Sequence, residues 1–165
     1  MNENSEVRQH VLRLLQGKGA HIDFDEAVKN LRPDLRGERR EGFPYTIWQL
    51  LEHIRIAQWD MVEFSKDANH QSPEWPKEYW PEEEAPPDDA AWENSLRQIQ
   101  ADRIKMEKMV EDQQNDLLAK IPHGSGQTLL REALQVADHN AYHLGQIMLM
   151  RKILENDQGN IVKIK

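Results

Sequence analysis

The segment Thr46-Ile47-Trp48-Gln49-Leu50-Leu51-Glu52-His53-Ile54-Arg55-Ile56-Ala57-Gln58-Trp59-Asp60-Met61-Val62-Glu63-Phe64-Ser65 reads as one long amphipathic helix. Ile47, Leu50, Leu51, Ile54, Ala57, Met61 and Phe64 recur at intervals of three and four, which places them on one buried stripe. Thr46, with Gln49 three residues on, is a capping-box pattern that starts the helix. A strand pairing would need alternation, and none is present here.

Working outward, the same period recurs. A first helix runs from about Ser5, with Val7, Val11, Leu12, Leu14 and Leu15 as its apolar positions, and stops at Gly17 and Gly19. A short one starts with Asp23 as N-cap, carries Glu26 three residues later, and ends before Pro33. Arg32 to Pro44 is charged and non-periodic and reads as a surface loop. Lys66 to Asp88 holds five of the eight prolines together with Trp75, Tyr79 and Trp80, a long connection of the kind that wraps over a fold. A third long helix runs from Asp88 or Asp89 to about Lys120, with Trp92, Leu96, Ile99, Ile104, Met106, Met109 and Val110 apolar. Pro122, Gly124 and Gly126 break it. A fourth runs from Thr128 to about Leu154, and the final ten residues read as a tail, its Ile161–Ile164 segment too short to support a strand. Four long helices and a short extra one, with no βα alternation, predict an all-α four-helix bundle. The connection between the second and third long helices is long enough to cross it.

The 165 residues fit one domain, 1–165, long enough to bury a core. A net charge of −8 argues against nucleic acid or an anionic membrane as partner. There is no cysteine, so disulfides, thiolate nucleophiles and cysteine-ligated zinc are excluded. The longest run without Asp, Glu, Lys or Arg is the 12 residues His139 to Met150, too short to span a bilayer. The first six residues lack the marks of a secretion signal, so a cytoplasmic location is expected.

Two of the seven histidines, His139 and His143, are four apart on the last helix. Their rings project about 40° apart around its axis, a spacing that suits two imidazoles on one ion. The plain alternative is two polar residues on a partly exposed face. Val136, Ile147 and Met150 share that face, which turns the pair inward or to its edge. His53, beside the stripe of the second long helix, is the best third ligand, although a lone histidine there also suits a hydrogen-bonded core role. Three imidazoles on two helices leave a position for water, the arrangement of a catalytic rather than a structural zinc site. The zincin pattern is absent, since Asn140 stands where that motif places its glutamate. Asp60, seven after His53, and Glu132, seven before His139, are candidate bases, fourth ligands or orienting groups, or simply solvated carboxylates. Gln49 and Gln146 are candidates for orienting the histidines.

The segments Pro44–Ile54 and Ala137–Ile147, which carry the three histidines and their flanks, resemble the two signature stretches of the DinB/YfiT-like family. Leu14–His21 is similar to the end of that family's first helix. The resemblance covers most of the chain and implies a four-helix bundle with a crossover connection. It also implies that His53, His139 and His143 coordinate a divalent ion, often nickel or zinc. Similar proteins include thiol S-transferases that use bacillithiol or mycothiol, a thiol-dependent isomerase, and members with no assigned activity. The expectation is therefore a metal-dependent hydrolase or thiol transferase acting on a small electrophilic substrate, with any thiol supplied as a small-molecule cosubstrate. The alternative is a non-catalytic bundle that binds metal or a partner. A homodimer through a helix face suits either reading.

The remaining features are assigned simpler roles. His21 is a capping or surface residue or lines the same cavity. The aromatics of Trp75–Pro81 pack the connection on the bundle or lid a pocket. Glu82–Glu84 and Asp88–Asp89 are a solvated acidic face and a helix start. Gly124-Ser125-Gly126 lacks the lysine and the preceding strand of a phosphate loop. Tyr142 and Arg151 are expected at the surface or an interface.

Overall fold

The computed structural model describes residues 3–157, so the Ile161–Ile164 segment lies outside the described residues. Its helices are α1 (Glu3–Leu15), α2 (Phe24–Val28), α3 (Ile47–Lys66), α4 (Asp89–Glu111) and α5 (Leu129–Asp157), with short 3₁₀ turns at Pro33–Leu35 and Lys77–Tyr79. The starts follow the cap chemistry. Thr46 and Gln49 close both halves of a capping box on α3. Asp23 accepts from the Glu26 amide at 2.8 Å, and Asp88 from that of Ala91 at 2.7 Å.

Helix directions follow from which residues meet. Arg55 reaches Gln98, Gln58 reaches the Ile99 carbonyl and Lys105 reaches Glu63, so α3 and α4 run parallel. His53 meets His139 and His143, while Phe64 at the far end meets His123, so α5 runs against α3. Gln16 meets Glu107 and Arg8 meets Val110, so α1 runs against α4. The order is up-down-down-up. A parallel α3–α4 pair requires residues 67–88 to travel back along the whole bundle, about 30 Å for a 20-residue helix. That is the long crossover connection.

The core forms two apolar clusters. One gathers Leu35, Ile47, Leu51, Ile54, Trp92, Ile147 and Leu154; the other Val11, Leu15, Val62, Met106, Val110 and Val136. Each fully buried aliphatic side chain contributes about 1.5–3 kcal/mol. Met61 and Phe64, expected on the buried stripe, are only partly covered, and Val62 is sealed in their place. Val7, Leu14 and Ile104 also face solvent.

Two of the sequence expectations are corrected. The third long helix ends at Glu111, not near Lys120. The polar run from Asp112 supplies local side-chain bonds that compete with helix: Asp112 accepts from the Gln114 amide, and Asn115 donates to the Met109 carbonyl. The buried guanidinium of Arg8 then takes up the carbonyls of Val110, Asp112 and Asn115. Arg32–Pro44 is not merely a surface loop, because Leu35 is fully buried and Arg36 lies over Trp92 at 4.6 Å while pairing with Asp89 at 2.7 Å. Among the described residues no helix is long and apolar enough to cross a membrane.

Candidate metal centre

The antiparallel α3–α5 pair brings His53, His139 and His143 together, with one nitrogen from each ring within 4.8 Å of the others. Nε2 of His53 and Nε2 of His139 are 3.1 Å apart. Two ligands each about 2.0–2.1 Å from one ion, subtending roughly 90–110°, would be separated by about 2.9–3.4 Å. The spacing therefore fits a shared ion.

The outer nitrogens fix the rings. His53 Nδ1–H donates to the Tyr79 carbonyl at 2.9 Å, and His143 Nδ1–H donates to Gln146 Oε1 at 2.7 Å. Each bond assigns the proton to Nδ1 and leaves the Nε2 lone pair for the centre. His139 Nδ1 is buried without such a partner. Burial pushes the His53 pKa down to about 4, helped by the nearby His143 and partly opposed by the Tyr79 carbonyl. Burial, then His143 and His53, push His139 to about 4 as well, and burial lowers His143. All three rings are thus neutral near pH 7, the form that binds metal. Three imidazoles without a thiolate or a gathered carboxylate suit zinc, nickel or another transition ion better than magnesium or calcium.

The crossover connection closes over His53. Trp80 stacks on its ring at 3.8 Å with 5° between planes, and Tyr45 stacks on the other side of Trp80 at 3.8 Å. Trp80 belongs to the Trp75–Pro81 run expected to pack the connection or lid a pocket, whereas Tyr45 escaped sequence reasoning as a site residue. Trp75, expected to help pack the connection, is 68% exposed at its outer edge.

Asp60 does not join the histidines. Its carboxylate accepts from Tyr79 OH at 2.6 Å and meets His70 Nε2 at 2.7 Å, which anchors the connection whose Tyr79 carbonyl holds His53. The Tyr79 hydroxyl, its pKa pushed up by burial and by Asp60, stays a donor. Glu132 is buried against Arg131 at 2.7 Å, not solvated. Burial raises its pKa and Asp60 adds to the rise, against the pull of Arg131. Neither carboxylate belongs to the three-histidine group. Gln146 orients His143 as the sequence suggested. Gln49 instead caps α3 and donates to the Pro81 carbonyl. His21 lines a separate cavity of about 100 Å³ with Gln58 and Asn140. Tyr142 lies edge-on to His143 at 4.8 Å, and Arg151 is half-buried, tied to the Ala27 carbonyl.

His139 is the least covered of the three and opens onto a surface groove that also involves Leu134, Asp138 and Tyr142. The family model of the DinB superfamily matches residues 18–147, which span both histidine segments. Comparison with curated proteins and with solved structures gives no match.

Proposed function

The chain belongs to the DinB superfamily, and on that premise we propose that it is a metal-dependent enzyme whose His53, His139 and His143 hold one zinc or nickel ion. The observation that carries the reading is the convergence of the three rings while Nδ1 of His53 and of His143 is engaged elsewhere. Among the described residues three such side chains gather, not four, and an open position is what distinguishes a catalytic site from a closed structural one. The reaction proposed is hydrolysis or thiol transfer on a small electrophilic substrate.

Bound there, the ion supplies Lewis acidity and lowers the pKa of a water or thiol. The chain's own residues do the rest. Tyr79 and Gln146 hold two ligand rings in one orientation. Trp80 covers the face of His53 and keeps water from it, and Tyr142 stands at the edge of His143 as an apolar contact for a substrate body. With no cysteine in the chain, the sulfur of a transfer reaction comes from a free thiol, whose proton goes to solvent as sulfur bonds to the electrophilic carbon and that carbon's leaving group, chloride in an aryl chloride, departs with the electron pair of the broken bond.

The test is turnover of 1-chloro-2,4-dinitrobenzene with free cysteine, and of p-nitrophenyl acetate with water, by zinc- or nickel-loaded protein. Turnover above background that disappears with chelator and in His139→Ala supports the reading. Equal rates for the loaded protein, the chelated protein and His139→Ala count against it.

A further inference from the structure

Two atoms beside the metal centre lack partners, and they are adjacent in sequence. Nδ1 of His139 and Oδ1 of Asn140 are both hidden from solvent and neither makes a hydrogen bond. Buried polar groups left unmet are uncommon, and each calls for an account. The Asn140 carboxamide nonetheless raises the proton affinity of the His139 ring, as a nearby acceptor does.

That carboxamide cannot turn over to find a different partner. Gln58, fully buried on α3, donates its Nε2 to the Ile99 carbonyl of α4 at 2.6 Å. A backbone carbonyl only accepts, so Gln58 presents Oε1 at its other end. Asn140 Nδ2 donates to that oxygen at 2.6 Å, which leaves Oδ1 as the free end of the side chain. One carbonyl on α4 thus sets the polarity of two amides in series.

A neutral imidazole carries one N–H. Without metal, His53 gives its own to the Tyr79 carbonyl, so its Nε2 only accepts, and the 3.1 Å contact with His139 Nε2 is a donation from His139. His139 Nδ1 is then a bare acceptor and Asn140 Oδ1 has no donor, which accounts for both unpartnered atoms at once.

We infer that Gln58 and Asn140 are positioning residues for the third ligand: their relay holds Asn140 Oδ1 ready to accept from His139 Nδ1–H when His139 Nε2 turns to a metal ion. The relay serves the ion proposed above and rests on that reading. On loading, the Nε2 proton leaves to solvent and one is taken up at Nδ1, so the ring stays neutral and its Nε2 lone pair is freed. All three ligand rings then have an outer acceptor, the Tyr79 carbonyl, Gln146 Oε1 and Asn140 Oδ1.

Zinc affinity by chelator competition, with imidazole ¹⁵N–¹H spectra of the full chain, tests the inference. In the parent the His139 proton moves from Nε2 to Nδ1 on zinc loading, a reading that needs no variant. Asn140→Leu, close in volume but without an acceptor, weakens zinc by about 10–100-fold. Asn140→Asp keeps an acceptor and stays within about threefold of the parent. Gln58→Met also weakens zinc, and the double variant Gln58→Met with Asn140→Leu is no weaker than Asn140→Leu alone, because both act through one bond. Metal-free melts and far-UV circular dichroism confirm that the variants fold. A merely structural role for the two amides makes the losses add and leaves the His139 proton in place, and either result overturns the inference. Parent affinity in Asn140→Leu beside a parent that holds about one ion overturns the relay alone. A parent that takes up no zinc overturns the metal reading and the relay together.

Discussion

Replacing Asp60 with alanine probes the link between the crossover connection and His53. The change removes the 2.6 Å bond from Tyr79 OH and the 2.7 Å contact with His70 Nε2. The Asp60 and His70 side chains are 13% and 8% exposed and Tyr79 is 9% exposed, so water replaces the lost partners poorly. Hydrogen bonds to a charged group contribute about 1.5–3 kcal/mol each. With partial relaxation of the connection, the loss is about 3 kcal/mol. For a chain of this length that lowers Tm by about 6–12 °C. The slackened connection also loosens the Tyr79 carbonyl and the Trp80 ring on His53, so zinc affinity falls by about 10–100-fold. Asp60→Asn, which still accepts from Tyr79 OH, loses about 1 kcal/mol. Thermal melts with and without zinc, and a competitive chelator titration, measure both effects. A normal melt for Asp60→Ala, or a lowered melt with unchanged zinc affinity, refutes the link.

Three further perturbations follow from the same geometry. In the metal-free protein His53 and His139 are held near 4 when folded and return to about 6.5 when unfolded, so the unfolded chain binds more protons in between. Stability is full above about pH 6.5 and falls as pH drops toward 4; urea titrations should show that slope flattened in His53→Gln, and an equal slope in both proteins contradicts it. Arg8→Ala abandons three carbonyls at the end of α4 and costs about 3 kcal/mol, and Arg8→Lys fails to rescue it because an ammonium lacks the planar fork, as denaturant midpoints would show. Glu132→Gln stays within about 1 kcal/mol of the parent, since a buried charge is replaced by its neutral isostere, and keeps full metal content by elemental analysis.

The sequence carried the elements whose signals are local. The Thr46–Gln49 capping box, the Asp23 and Asp88 caps and the three-four stripe from Ile47 to Ala57 all depend on neighbours within a turn or two. The histidine pair was legible for the same reason, and His53 joined it because its helix face could be read. The end of α4 was hidden because it depends on Arg8, about a hundred residues away, as well as on the polar run after Glu111. Asp60 was legible as a carboxylate on the side of His53, but its role depends on where residues 70–80 return across the bundle. That path is a property of the crossover. The stack of Tyr45 on Trp80 and of Trp80 on His53 was hidden for the same reason, since it depends on where the crossover connection returns over α3.

The most direct test of the metal centre is elemental analysis of untagged protein, reconstituted with zinc or nickel and dialysed without chelator, beside His53→Ala and His143→Ala. The account predicts about one ion per chain in the parent and a large loss in both variants, with all three folded. Folded parent protein that retains no ion after reconstitution, or variants that retain as much as the parent, would contradict it.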